Sequence, residues 1–329
     1  MSPEEMNGQD HSLQFLPDVV KRWLGRDPWR TGHIVYLLGL QPLTYAQLVS
    51  EELWSQPNGP SRRQGIRDIL RVLKLTDILD PSRGKLTLSK DRPDFLNITM
   101  TKHVRISRRM DRSVSIVRTA VALKGGITDL HLGVLTMALR GRNIPHIRPR
   151  QYVRFNHDGT RVRGKTATFS RTVREHQKWE VVLHFDPPLT CGEYVRCGFY
   201  DWSPGHFAKT EQEAIERFGN PRSREGIFLQ DPTVHLRIGV SFPSGFVARD
   251  LRRDIVTNAK KPLTDAIIDG WKPKLVARSA VKAGDVRGTA STDFYLVPKG
   301  VACFLDWRPH GKTISNAILS PTMAPKTTC

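Results

Sequence analysis

The hydrophobic period of this chain changes near Thr99 from helical to strand spacing, with one capped helix from Thr210 to Gly219 interrupting the strands that follow, and that change limits the folds open to it. Ile66, Ile69, Leu70 and Leu73 recur at i, i+3, i+4 and i+7, the signature of one buried helix face. Val234, Leu236, Ile238, Val240 and Phe242 alternate strictly, the signature of a strand with one buried side. Residues 29–92 read as helices closed by a short strand, and residues from about 95 to 310 read mostly as strands. Trp179–Phe185, Val195–Phe199 and Val301–Trp307 repeat the alternation, separated by Pro- and Gly-rich turns such as Pro243-Ser244-Gly245. The expected fold class is α+β: a helical unit followed by a mainly antiparallel β-sandwich.

The expected domains are a polar segment 1–28, a helical unit 29–92, a basic connecting segment 93–150 that is partly strand, a β-sandwich 151–310 and a flexible tail 311–329. Ile127–Leu139 is ambiguous between helix and strand. A chain of 329 residues is long enough to bury a sizeable core, and four cysteines do not make a disulfide framework. No apolar run reaches the roughly 18 residues of a membrane-spanning helix. Met1–Asp10 lacks the basic and apolar regions of a secretory signal. The sequence therefore reads as cytoplasmic, with no membrane partner.

Charge narrows the partner. Lys and Arg number 51 against 32 Asp and Glu, a formal +19. Lys102–Arg174 alone holds 17 Lys/Arg and three acids (Asp111, Asp129 and Asp158), a net +14. Concentrated positive charge points to a polyanion, most often nucleic acid. Within this tract Arg105, Arg108, Arg109 and Arg112 are candidate contacts. The whole reading expects them to share one exposed face with the cations of the helical unit.

That unit carries its own signals. Thr44-Tyr45-Ala46-Gln47 has the reciprocal Thr/Gln pattern of a capping box, with Leu43 and Leu48 placed as a hydrophobic staple. Ser61-Arg62-Arg63-Gln64 repeats the capping logic. In the helix it opens, Arg63, Arg67, Arg71 and Lys74 form a stripe about a quarter turn from the apolar one. Asp80-Pro81-Ser82-Arg83-Gly84 is a turn, and Lys85–Ser89 alternates like an edge strand. This order resembles the winged helix-turn-helix of DNA-binding regulators. The resemblance implies that the helix from Ser61 is a recognition helix and that Asp80–Ser89 is its wing. The candidate nucleic-acid contacts are Arg62, Arg63, Arg67, Arg71, Lys74, Arg83 and Lys85, beside the four arginines named above.

Trp179–Glu193, Pro232–Phe246 and Phe304–Pro309 make the second half similar to β-sandwich modules attached to helix-turn-helix or signalling domains in bacterial regulatory and conflict-related proteins. That likeness implies a sensing or docking role, with a possible protein partner.

The search for reaction chemistry yields little. Gly159-x4-Gly164-Lys165-Thr166 satisfies the phosphate-loop pattern, but the sequence after it reads as strand, whereas the mechanism needs a helix N-terminus. Cys191-x5-Cys197 lacks a second cysteine pair for a zinc site. Asp201, Ser203 and His206 crowd one loop, too close in sequence for a triad's geometry. Neither cofactor nor metal is expected. The reading is a non-enzymatic regulator of transcription that binds duplex DNA in preference to RNA. The alternatives are a non-catalytic adaptor of a bacterial defence or signalling complex, and a hydrolase using the loop near His206.

Overall fold

A computed structural model describes residues 16–19, 28–50, 62–80, 84–135, 146–150, 152–162, 166–174, 178–257, 274–281 and 285–311. It is a mixed α+β fold built mostly from sheet. The helical unit comprises α1 (Leu16–Val19), α2 (Pro28–Leu40), α3 (Tyr45–Ser50) and α4 (Arg62–Leu75), followed by β1 (Leu79–Asp80) and β2 (Thr87–Leu88). The rest is β3 (Phe95–Ile106), β4 (Arg112–Ala122), β5 (Ile127–Leu135), β6 (His146–Pro149), β7 (Val153–Phe155), β8 (Thr166–Arg174), β9 (Lys178–Leu189) and β10 (Tyr194–Ser203). After α5 (Glu211–Phe218) come β11 (Ser223–Leu229), β12 (Thr233–Ser241), β13 (Phe246–Thr257), β14 (Lys274–Ala280), β15 (Thr289–Val297) and β16 (Val301–Gly311).

The capping signals form as written. The Thr44 N–H donates to Gln47 Oε1 at 2.7 Å, and the Gln47 N–H donates to Thr44 Oγ1 at 3.3 Å. The second box lies partly outside the described residues, because Ser61 does. Thr210 caps α5 by accepting from the Glu213 N–H, and Gly219 ends that helix in the left-handed region.

The largest sheet has the order β15-β12-β3-β4-β10-β6, with β7 also pairing β10. A second sheet runs β11-β16-β13-β14 and a third β5-β9-β8. Among the described residues every strand pair is antiparallel except β12–β3, which is parallel and joins segments far apart in sequence. Inward side chains of all three sheets share one core. It holds Val104, Ile116, Cys197 and Leu236 from the first sheet, Leu251, Cys303 and Trp307 from the second, and Leu130, Leu183 and Phe185 from the third.

Three expectations change. The segment 93–150 is not a connector, since β3 and β4 are central strands of the largest sheet. The ambiguous run is strand over Ile127–Leu135, because it pairs with β9. The turn Asp158-Gly159 is real, with Gly159 at φ +86°. Its hairpin is short, however, and β8 leaves it to pair with β9. The tail beyond Gly311 lies outside the described residues, as does most of segment 1–28.

Candidate nucleic-acid interface

The periodicity of α4 sorts its side chains as expected. Ile66, Ile69, Leu70 and Leu73 are buried with Ile34, Leu38 and Leu48. Arg63, Arg67, Arg71 and Lys74 are all exposed. The Arg67 guanidinium lies 5.7 Å from the Tyr45 ring centroid, and the Tyr45 hydroxyl donates to the Arg63 carbonyl at 3.1 Å. α3 thus supports the N-terminal half of the stripe. Asp68, the helix's one acid, accepts from Gln64 at 2.7 Å. Behind the helix, Leu79 and Asp80 pair with Leu88 and Thr87, and Leu43 bridges Leu86. Lys85 projects from this small sheet, exposed.

The unit is fastened to the large sheet through α2. Gly32 and Gly39, two turns apart, meet the β9–β10 turn. A Cβ at Gly32 would overlap the Gly192 carbonyl oxygen, and one at Gly39 would lie 2.9 Å from Cys191 Sγ. Gly192 itself has φ +83°, a conformation L side chains rarely adopt. Beside this contact Tyr36 stacks on His157 with centroids 3.7 Å apart, and His33 Nδ1 lies 3.4 Å from His157 Nδ1. Burial, reinforced by His157, lowers the His33 pKa to about 4. Backbones this close leave no room for a loose hinge at α2.

The basic tract divides. Arg105, Arg108 and Arg109 are exposed at the β3–β4 turn. Leu96 and Val121, at the opposite end of that hairpin, belong to the core of the helical unit. β3 is 12 residues long, so at about 3.3 Å per residue the turn lies on the order of 35 Å from the helical end. The expectation of a single shared footprint is therefore corrected: strand length holds the two cationic groups apart. Arg62 belongs to α4 but its side chain is outside the described residues, and Arg83 is wholly outside them.

Arg112 is a second correction. It is buried rather than exposed to a ligand, because it starts β4 on the inward parity with Val114 and Ile116. Its Nε and Nη2 donate to the two carboxylate oxygens of Glu225, at 2.6 and 3.1 Å, and it also pairs with Asp201. Lys102 joins them, bonded to Glu225 and to the Gly226 carbonyl. Two cations and two carboxylates are enclosed there. Burial pushes Glu225 up, but Arg112 and Lys102 outweigh it and hold the carboxyl far below the usual carboxylate range. Burial wins at Asp201, whose pKa is raised, and at Lys102, whose pKa is lowered. Arg118 with Asp231 and Arg154 with Glu193 are further buried pairs, at 3.0 and 2.5 Å. Four of the seventeen cations counted between Lys102 and Arg174, namely Lys102, Arg112, Arg118 and Arg154, are thus internal.

His206 borders this cluster. Burial, then Arg112, lowers its pKa to about 3, so it is neutral at pH 7. Its Nδ1 has no hydrogen-bond partner among the described residues, and Asp201 is committed to Arg112. The base-to-orienter bond of a triad is therefore not formed here. Thr166 begins β8, not a helix, so the phosphate-loop match lacks its helix N-terminus. Cys197 and Cys303 are buried core residues, with burial pushing both thiols up. Among the described residues no group of three or more His, Cys, Asp or Glu is placed to hold a metal ion.

The sequence reading missed the buried quartet, although a signal was present. In Thr101-Lys102-His103-Val104-Arg105-Ile106, Lys102 shares its parity with Val104 and Ile106, whereas Arg105 shares that of Thr101 and His103.

No protein-family model matches the chain, and no curated protein matches it in sequence. Solved structures show a partial likeness at low TM-score. A candidate protease from Parabacteroides distasonis has TM-score 0.39 and 9% identity over 66% of this chain and 41% of that one. An M1 zinc metallopeptidase from Deinococcus radiodurans has TM-score 0.33 and 15% identity over 70% and 45%. Leukotriene A4 hydrolase from Saccharomyces cerevisiae has TM-score 0.31 and 10% identity over 65% and 29%. The chain spans less than half the length of each. These neighbours correct the expectation that the chain is not an enzyme, and that exclusion is withdrawn. At such low TM-scores the likeness assigns no reaction to it.

Proposed function

We propose that this chain binds duplex nucleic acid, DNA in preference to RNA, through the exposed cationic face of α4, and acts as a regulatory protein. On this reading α2–α4 with the Leu43–Leu86 bridge and the β1–β2 pair form a winged helix. The sheets behind it form a sandwich that senses a ligand or protein partner, in the cytoplasm. Among the described residues no helix is long and apolar enough to cross a membrane.

The observation that carries the proposal is the separation of faces on α4. Four cations stand exposed on a helix whose apolar side is locked into a core. A helix of this width fits the major groove, where Arg reaches guanine O6 and N7, while neighbouring cations neutralise phosphate. Rigid docking through Gly32 and Gly192 would pass a displacement of the sheet to the helix, which a sensing role requires.

The test is duplex binding by the full chain across a salt series. The Arg67→Ala/Arg71→Ala variant should bind more weakly, lose sequence preference and show a shallower salt dependence by about two phosphate contacts, each contributing roughly 0.9 to the log–log slope. Unchanged affinity in that variant would overturn the proposal.

A further inference from the structure

The outward side of β15, β12, β3 and β4 gathers hydrogen-bond donors that lie far apart in sequence. Register sets them in two adjoining rows: Thr289, Ser241, Arg105 and Ser113, then Ser291, Gly239, His103 and Ser115. Neither row contains a carboxylate. Three inter-strand spacings by one two-residue repeat give a patch of about 14 Å by 7 Å. Arg105 is exposed in it and has no ion-pair partner among the described residues. Exposed Arg150 and Arg237 reach the patch from its two sides. Asp293 lies in the next row, 2.8 Å from His235 and 3.9 Å from Arg237.

The hydrogen bonds of the patch leave it rich in donors. Arg150 donates to Ser115 Oγ, and Arg237 Nη2 donates to Ser291 Oγ at 3.3 Å. A guanidinium only donates, so each serine accepts and keeps its own O–H to give elsewhere. Between them, Ser241 Oγ lies 3.2 Å from His103 Nε2 and 3.2 Å from Thr289 Oγ1. With the imidazole proton on Nε2, that chain runs from His103 through Ser241 to Thr289, whose O–H is its outward end. Gly239 makes room for the ring: a Cβ there would lie 3.1 Å from His103 Nδ1, closer than side chains ordinarily pack. Glycine inside a strand weakens it, so its place here is set by this close approach.

We infer that this patch binds a small oligophosphate, an anion of two or more linked phosphate groups. Three guanidinium groups and a set of outward hydroxyls suit an anion whose oxygens only accept. The donors are spread more widely than the three terminal oxygens of one phosphate can reach. A carboxylate, with two oxygens and one charge, would leave most of them unused. A nucleic-acid strand occupies about 4–16 nucleotides of a binding surface, well beyond a patch of this size. The inference goes beyond duplex binding by α4 and does not depend on it; it gives the sensing role of the sandwich a ligand class.

The test is isothermal titration calorimetry on the full chain with sodium tripolyphosphate, inorganic phosphate and dT12, at about 50 mM salt. Wild type should bind tripolyphosphate about tenfold more tightly than inorganic phosphate. Arg105→Ala should weaken tripolyphosphate about tenfold, and Arg105→Lys should recover part of that loss. Ser115→Ala/Ser291→Ala should weaken it about fivefold, because the arginines then have no hydroxyl to turn outward. Gly239→Val, which pushes the His103 ring off Ser241, should weaken it as well; urea midpoints would show that each variant folds. Arg67→Ala/Arg71→Ala should leave tripolyphosphate affinity within about twofold, which separates this site from the helix. Wild type failing to bind tripolyphosphate, or folded Arg105→Ala binding it as well as wild type, would overturn the inference. So would loss of tripolyphosphate binding in the helix variant alone. Binding of dT12 more tightly than tripolyphosphate, lost in Arg105→Ala, would assign the patch to a nucleic-acid backbone and equally overturn it.

Discussion

Arg67 and Arg112 are the same residue type, 45 positions apart, and the fold uses them in opposite ways. Arg67 stands on the solvent side of α4, supported by Tyr45. Arg112 is enclosed at the far end of the β3–β4 hairpin, with Glu225 and Asp201 as its partners. The exposed group keeps its water and remains available to a polyanion. The buried group has exchanged water for carboxylates and is available to nothing else. Net charge therefore overstates binding surface wherever strands carry cations on their inward parity.

Removing one partner from the enclosed quartet should have the largest effect. Arg112→Met leaves Glu225 and Asp201 buried with Lys102 alone, at a cost of about 3–5 kcal/mol. Urea unfolding midpoints would measure it. A loss below about 1 kcal/mol would erase the contrast with Arg67.

The docking of α2 comes next. Gly192→Ala combines a positive φ with a clash against Gly32 and Tyr36. A loss of about 1–3 kcal/mol is expected. Amide exchange should rise in Gly32–Leu40 before it rises in β3 and β4. Uniform exchange across both regions would show that the helical unit and the sheet unfold as one.

A smaller effect should appear with pH. His33 and His206 have folded pKa values of about 4 and about 3, below the ordinary 6.5. The unfolded chain then binds protons that the folded chain refuses, so stability falls as pH drops below 6.5. The His33 contribution to that decline ends near pH 4. His33→Gln should flatten the decline between pH 6.5 and 4 without altering the pH 7 midpoint by the same amount. An unchanged slope would remove His33 from the helical unit's acid response.

The smallest effect belongs to the exposed stripe. Arg67→Ala should change stability by no more than about 0.5 kcal/mol while weakening duplex binding. A larger stability loss would mean that Arg67 holds α3 to α4 through Tyr45, rather than waiting for a ligand.

Much of this was legible in the residues themselves. The two faces of α4, the Thr44 and Thr210 caps and the alternation of β12 and β16 all follow from local spacing, because short-range geometry decides them. The burial of Arg112 was also written in its parity with Val114 and Ile116, although composition drew attention to its charge instead. Leu79-Asp80 is too short to announce β1 by period. The outward face of the largest sheet is different in kind. His103, Arg196, Tyr200 and Arg237 come from three strands, and no single window contains their relation.

The amino-acid order by itself determined where helices and strands form and which side of each is apolar, since both depend on neighbours within a few residues. Only the tertiary structure decided that β12 lies parallel to β3, that Glu225 meets Arg112, and that the two cationic ends of the molecule stand apart. Those outcomes depend on strand order and register, which are set when distant segments compete to bury the same apolar surface.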